Sequence, residues 1–403
     1  MAAKSGALQR RLGLTLLVLY GVGTTIGAGI YVLIGEVAAH AGMHAPLSFV
    51  IAAIVMGLTV ASYAELCTRY PVAAGEAAYV RAAFGSRLLS TITGLLMIVT
   101  AVIASAAVSL GATGYIAQFV DLPKPLIVVA FVALVGLICA WGILESVLLA
   151  VLFTILEVGG LLAIIAAAAY AGLPVQNALL AMPPADPAVW NGILFASLLA
   201  FFAFIGFEDL TNIVEEAHAP ARNIPLAMVL TLAITSVLYI AIAAIAVTAI
   251  PLDRLVASGA PLAVVYRELG GFSVPLISLI AIGATANTVI AQTTMATRVV
   301  YGMARMGDLP ERFGEVSAKT STPLLATALI SAIVLVLALF VPFSRLAEFT
   351  SLATLLVFAL INGALLRLRL QRKKTRPGEI TVPLWMPVLG LVTSLLMIAA
   401  SVV

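Results

Sequence analysis

The sequence predicts an all-α membrane protein that crosses the bilayer many times. Hydrophobic residues make up 63% of the 403 residues and charged residues only 10%, whereas soluble domains carry about 25% charged residues. The mean hydropathy is +1.18. Apolar runs of the length that spans a bilayer, about 20 residues, follow one another along the whole chain. Together these observations exclude a soluble globular domain.

Eleven such runs are present. The first is too long for the apolar region of a signal peptide, so we interpret it as a membrane span that is not cleaved off. The third and eighth are much longer than a bilayer requires, so we expect them to tilt or to project from the lipid. In order, the runs cover residues 13–40, 46–68, 87–119, 125–142, 145–172, 191–216, 225–250, 272–304, 323–341, 345–368 and 382–403.

The distribution of basic residues predicts the orientation. If the N-terminus is cytoplasmic, 17 of the 21 lysines and arginines lie on the cytoplasmic side of these runs. The remaining four, Lys124, Arg254, Arg267 and Arg345, lie outside. Because cytoplasmic loops carry the excess of basic residues, we expect a multi-pass protein of the cell membrane with a cytoplasmic N-terminus.

The first run contains GVGTTIGAGI at residues 21–30, with four glycines in ten residues. Glycine destabilises a helix interior by about 1 kcal/mol relative to alanine, and freed backbone groups are tolerated at membrane depth only beside protein or a water-filled cavity. The run therefore predicts a helix broken near the bilayer midplane. Alternatively, Gly23 and Gly27 form a GxxxG pair that lets another helix pack closely.

A second feature favours the break. Five spans later, the sixth run carries FFAFIGFEDL at residues 201–210, and the two overlong runs are also five spans apart. Interrupted segments at matching positions of two inverted halves indicate a transporter binding site. The sequence thus predicts two inverted halves, 13–172 and 191–368, followed by an additional span at 382–403.

Two broken helices provide a site for a zwitterion without a charged side chain. Amide groups that open the second half of span 1, near residues 27–30, suit a carboxylate. Carbonyls freed at residues 24–26 and 202–205 suit an ammonium group. An α-amino acid matches both demands, whereas a polyamine would use only the carbonyls.

Four segments resemble the amino acid, polyamine and organocation (APC) superfamily: GVGTTIGAGIYV, SYAELCTRYPVAAGEAAYVRAAFG, FFAFIGFEDLTNIVEEAHAPARNIPLA and ATRVVYGMARMGDLPERF. They occur in order along the chain. The resemblance implies a five plus five inverted repeat with helices 1 and 6 broken around a central site, one or two additional C-terminal helices, and alternating access. It also implies amino acid transport by proton symport or by exchange.

The resemblance also implies which residues contact the substrate. Phe202 matches an aromatic position that gates the site in relatives; alternatively it is an ordinary core or lipid-facing phenylalanine. Thr100 and Ser105 on the third span, with Thr285 and Asn287 on the eighth, are further candidates, although such side chains also join helices in membranes. The backbone candidates are Thr25, Ile26, Gly27, Ala28, Gly29, Phe202, Ala203, Phe204, Ile205 and Gly206.

The chain departs from the family pattern on the fifth span. Many relatives carry a lysine there whose amine stands in for a sodium ion, but this sequence reads TILEVGG with Glu157. An ionisable residue deep in a span is a functional-site hypothesis by default. We expect Glu157, together with Thr285, to couple transport to H⁺, or alternatively to Na⁺. A structural interpretation is a protonated Glu157 bonded to neighbouring backbone.

Other charged residues have simpler interpretations. We expect Glu36 and Glu348 to face the outer vestibule. Glu65 and Glu76 lie near the first cytoplasmic loop, where they are either solvated or paired with Arg222 or with residues 305–312.

The sequence therefore predicts a secondary transporter for small or medium neutral amino acids, driven by proton symport. An exchanger, or a carrier of polyamines or cationic amino acids, is the alternative, and a sensor or channel on the same fold is a third. Dispersed carboxylates, three peripheral histidines and the absence of a GxxxxGK[ST] motif argue against an enzyme or an ATPase. We expect no cofactor, metal or nucleic acid; the oligomeric state stays open.

Overall fold

The computed structural model describes residues 12–27, 29–71, 75–141, 147–211, 213–271, 273–305, 307, 309–317, 320, 322–371 and 379–400. The described part of the chain is built from helices, as the composition predicts. They are α1 (Leu14–Ile26), α2 (Gly29–Ala41), α3 (Ala45–Arg69), α4 (Gly75–Phe84), α5 (Arg87–Ile116), α6 (Lys124–Trp141), α7 (Val147–Tyr170), α8 (Gln176–Leu179), α9 (Pro187–Phe202), α10 (Pro220–Ala249), α11 (Leu252–Ala257), α12 (Pro261–Glu268), α13 (Val274–Arg305), α14 (Leu324–Phe340), α15 (Phe343–Leu370) and α16 (Trp385–Ala400).

Among the described residues, eight helical segments are long and apolar enough to cross a membrane, and three shorter apolar helices accompany them. Each of the eleven predicted runs overlaps at least one of these helices. The protein is therefore a multi-pass α-helical membrane protein. Its division into two inverted repeats and an additional span stays a prediction.

The first predicted break lies between α1 and α2. The backbone of Gly27 adopts a φ of +29°, a left-handed value that favours glycine, and α2 begins only two residues later at Gly29. Ala28, one of the predicted site residues, lies outside the described residues.

The second predicted break lies after α9. Helix α9 ends at Phe202, Gly206 has a φ of +130°, and the chain continues as a 3₁₀ helix over Phe207–Thr211. The sixth predicted span is therefore not one continuous helix.

The two overlong predicted spans pack against each other in the structure. Helices α5 and α13 contain 30 and 32 residues, which corresponds to about 45 and 48 Å at 1.5 Å per residue. Helix α5 also contacts α15, while α1 packs against α7 and α10. The pair α5 and α13 thus forms a long wall beside the broken helices.

The acidic residues near the first predicted cytoplasmic loop are buried, so their interpretation as solvated loop charges is wrong. Glu65 is fully buried; it accepts a hydrogen bond from Arg369 Nε at 2.7 Å and forms an ion pair with Arg69. Its partners are thus Arg369, at the end of α15, and Arg69 of its own helix, and not Arg222. Glu76 accepts from the Tyr63 hydroxyl at 3.1 Å.

Candidate functional site

The two helix breaks touch each other through their backbones. Thr24 Oγ1 lies 3.0 Å from the carbonyl oxygen of Gly206, and 3.1 Å from those of Tyr20 and Gly21 in its own helix. A Cβ atom added to Gly29 would lie only 2.7 Å from Ala203 Cα, closer than real Cβ atoms approach. Glycine is therefore required at position 29, because the two backbone segments pass each other without room for a side chain.

A buried tyrosine on α10 ties the breaks together. The Tyr239 hydroxyl lies 2.9 Å from the carbonyl oxygen of Thr25 and 2.8 Å from that of Ala203. Close by, Glu208 Oε2 accepts from the amide of Gly206 at 2.9 Å. The Thr25 and Ala203 carbonyls, expected to be free for an ammonium group, thus already contact a protein hydroxyl.

A small cavity lies between the breaks, and we call it the central cavity. Its volume is about 20 Å³, enough for a water molecule. Thr25 Oγ1 is buried and has no hydrogen-bond partner among the described residues, so a polar atom is available at this cavity. The lining residues are Thr24, Thr25, Gly27, Gly29, Ala104, Val108, Phe202, Ile205, Thr288 and Gln292.

Five of the predicted substrate residues therefore line the central cavity: Thr25, Gly27, Gly29, Phe202 and Ile205.

Other predicted residues lie beside the central cavity without lining it. Ile26 is fully buried, and Phe204 packs behind the break against Phe49 and Tyr239, with ring centroids 6.4 and 4.9 Å away. Ala203 and Gly206 contribute the backbone contacts described above.

The predicted polar residues of α5 are also buried. Thr100 Oγ1 donates to the carbonyl of Leu96 at 2.8 Å within its own helix, whereas Ser105 Oγ has no hydrogen-bond partner in the described part of the chain.

Of the other five lining residues, Thr24 was expected to contribute only its carbonyl. The sequence interpretation missed the remaining four: Ala104 and Val108 on α5, and Thr288 and Gln292 on α13. The two polar residues carried a usable signal. Thr285, Thr288 and Gln292 recur at helical spacing in an apolar segment, which places them near one face of the helix. The two apolar residues carried none.

Three cavities follow one face of α5. A narrow cavity of about 10 Å³ is lined by Met97 and Thr100, and the central cavity by Ala104 and Val108. A wide cavity of about 310 Å³ is lined by Gly111 and Gly114, among others. The positions recur every three or four residues, so the cavities stack over about 25 Å of helix.

Glu157 lies apart from the central cavity, on α7. It is buried, and neither carboxyl oxygen makes a well-formed hydrogen bond within the described residues. The Asn287 side chain on α13 faces its carboxyl group, and Tyr31 donates to the Glu157 carbonyl oxygen at 2.7 Å. Thr285, the second predicted coupling residue, donates to the carbonyl of Ile282 at 2.8 Å.

A comparison with protein families identifies the class of protein. A sequence model of the amino acid permease family matches residues 12–403. The chain belongs to the amino acid permease family. The permease is thus a transporter of the APC superfamily and not an enzyme.

Individual relatives of the permease are transporters. It is 30% identical over 416 residues to the branched-chain amino acid permease BcaP of Bacillus subtilis, covering 95% of this chain and 87% of that protein. It is 30% identical over 383 residues to the vacuolar cationic amino acid transporter 4 of Arabidopsis thaliana, covering 90% of this chain but 64% of that longer protein. It is 27% identical to the methylthioribose transporter of Bacillus subtilis, over 97% and 88% of the two chains.

Proposed function

We propose that the permease carries small or medium neutral amino acids across the cell membrane by alternating access, as a proton symporter. The observation that carries the proposal is the central cavity, which is bounded by both helix breaks. No charged side chain is among its lining residues.

Recognition would rest on the backbone and on two polar side chains. The amino terminus of α2, at Gly29, opens at the central cavity and provides the positive end of a helix dipole for a carboxylate. Thr25 Oγ1 and the Gln292 side chain supply polar contacts, while Ala104 and Val108 favour an apolar side chain. Phe202 would act as the gate. Because the cavity has room only for a water molecule, it must widen to bind substrate.

The row of cavities supports alternating access. If the N-terminus is cytoplasmic, the wide cavity opens to the outside and the narrow cavity lies toward the cytoplasm. The structure then corresponds to a conformation that is wide outside and closed inside. The opposite conformation would widen the cavity beside Thr100.

Coupling is assigned to Glu157. A carboxyl group buried between α7 and α13 is strongly penalised when charged, so its protonation would favour a conformation in which it stays buried. Release of the proton would require water access to the same side chain. Glu157 would thereby exchange its proton once in each transport cycle.

A cationic substrate is the second candidate, since the plant relatives are named for it. The lining of the central cavity disfavours it, because a cationic side chain would lack a carboxylate partner there. The name of the bacterial branched-chain relative supports the neutral, apolar preference instead.

The test is uptake by proteoliposomes containing the purified permease. A panel of labelled neutral, cationic and anionic amino acids and polyamines is offered, with an imposed pH or sodium gradient and with or without internal substrate. We expect saturable uptake of L-leucine or a similar amino acid that a pH gradient drives. Uptake only in exchange for internal substrate would contradict symport, and a cationic preference would contradict the substrate assignment.

A further inference from the structure

The wide cavity contains chemistry that the central cavity lacks. Its volume of about 310 Å³ falls at the lower end of the range of small-molecule sites. Two of its lining residues are charged, Glu36 on α2 and Lys124 at the start of α6, and the others are uncharged. Neither charged residue forms an ion pair or hydrogen bond within the described residues.

The uncharged part of the lining is divided between apolar and small residues. Leu122, Ile127 and Val256 present apolar side chains. The Thr113 hydroxyl donates a hydrogen bond to the carbonyl of Leu110, and the Ser258 hydroxyl accepts one from the amide of Ala260. The cavity therefore combines one acidic group, one basic group and apolar surface.

The wide cavity and the central cavity share two walls. On α2, Gly29 lines the central cavity and Val32 lines the wide cavity. On α5, Val108 lines the central cavity and Gly111 lines the wide cavity. The cavities are thus about one helical turn apart. A Cβ added to Gly111 would overlap the Val32 side chain, so this tight contact separates them.

We propose that the wide cavity is a second binding site for the same class of amino acid, a zwitterion with an apolar side chain. Glu36 would accept the ammonium group, Lys124 would bind the carboxylate, and the apolar residues would contact the side chain. One negative and one positive group are complementary to the α-ammonium and α-carboxylate of an amino acid. A charged side chain would find no further partner, because the rest of the lining is uncharged. The proposal rests on the proposed function, and the site would hold substrate before Val32 and Gly111 separate.

The first experiment counts binding sites by equilibrium binding of labelled L-leucine to the purified permease. We expect two sites per chain: a high-affinity site in the central cavity and a weaker second site in the wide cavity. Glu36→Gln and Lys124→Gln should each weaken the second site about tenfold, as loss of one hydrogen bond to a charged group predicts, and raise the KM of uptake. The controls, Glu311→Gln and Arg267→Gln, lie at exposed positions outside the cavity and should behave as wild type.

The second experiment asks which ligands compete at that site. In the wild type, neither L-arginine nor L-glutamate should displace the more weakly bound L-leucine. In Glu36→Gln the remaining Lys124 should let L-glutamate compete, and in Lys124→Gln the remaining Glu36 should let L-arginine compete. The double variant Glu36→Lys, Lys124→Glu should restore the zwitterion preference. A merely structural role would not produce this inversion.

A wild type that transports L-leucine but binds one molecule per chain would overturn this inference and leave the proposed function standing. Two sites that the charge variants leave unchanged would also overturn it. A wild type that neither binds nor transports any amino acid would overturn the proposed function itself.

Discussion

Single residues decide whether the two helix breaks form a site. Gly27 shows this most directly, because it combines a left-handed backbone conformation with a cavity-facing position. A Cβ added there would overlap Thr288 Oγ1 on α13. Any side chain at position 27 therefore both strains the backbone and fills the space between the breaks.

We expect Gly27→Leu to abolish substrate binding while the protein stays folded. The leucine side chain would fill the central cavity, whose volume is only about 20 Å³. Equilibrium binding of L-leucine to the high-affinity site measures the loss of binding. Gel filtration of the detergent-purified variant shows whether the protein stays folded. Gly363→Leu is the control, since a Cβ at Gly363 meets no atom within 4 Å. Wild-type affinity in Gly27→Leu would favour the close-packing interpretation of residues 21–30.

Glu157 is the residue to which we assign the proposed coupling. Glu157→Gln retains the shape of the side chain but cannot release a proton. We expect it to lose the acceleration of uptake by an imposed pH gradient and to retain exchange of internal for external substrate. Both are measured in the same proteoliposomes, with Glu268→Gln as the control. Gradient-driven uptake with unchanged pH dependence in Glu157→Gln would refute the assignment.

At the scale of helices, α10 holds the two breaks in register through Tyr239. Tyr239→Phe removes the hydroxyl and leaves the buried Thr25 and Ala203 carbonyls without a donor. This change lowers the free energy of unfolding by about 1–3 kcal/mol. We expect a lower melting temperature and about tenfold weaker substrate binding. Tyr266→Phe on α12 is the control, because the Tyr266 hydroxyl makes no hydrogen bond among the described residues. Unchanged affinity in Tyr239→Phe would show that the breaks keep their geometry without α10.

Helix α4 carries a pH-dependent contribution to stability. Burial raises the pKa of Glu76 above its ordinary value of 4.5, and the hydrogen bond from Tyr63 only partly opposes this. A raised pKa in the folded state favours the protonated form, so this contribution is present below the unfolded-state pKa and is lost as the pH rises through the folded-state pKa.

We therefore expect Glu76→Gln to melt at a higher temperature than the wild type above the raised pKa, with the difference shrinking toward pH 4.5. Melting followed by tryptophan fluorescence between pH 4.5 and 8 measures this difference. Glu311→Gln, at an exposed position, should show no such trend. A constant difference across the pH range would exclude Glu76 as its source.

The sequence predicted the helices and the position of both breaks, but not the contacts between them. Apolar length predicts spans and glycine predicts breaks because both are local properties. Tyr239 is different: its two partners lie 36 and 214 residues away, and nothing local distinguishes it from a lipid-facing tyrosine. Glu65 and Arg369, 304 residues apart, are likewise joined only by the tertiary fold.

At the scale of the whole molecule, the three cavities form a row along α5 that is wide at one end. If the N-terminus is cytoplasmic, Ala117, which lines the wide cavity, should be accessible from outside, whereas Met97 in the narrow cavity should not. We expect a membrane-impermeant maleimide to label Ala117→Cys in intact cells and to spare Met97→Cys. Cys139→Ser serves as the background, since Cys67 is buried. Labelling of Met97→Cys alone would reverse the orientation.

The backbone contact between the two breaks also indicates how the cargo of this permease could be changed. Thr24, Gly29, Ala203 and Gly206 meet with so little space that almost any larger side chain would push the breaks apart. The opposite wall, on α5 and α13, is built from side chains of ordinary helices. Selection for a new substrate should therefore accumulate substitutions at Ala104, Val108, Thr288 and Gln292, and a library restricted to these four positions should contain the altered specificities.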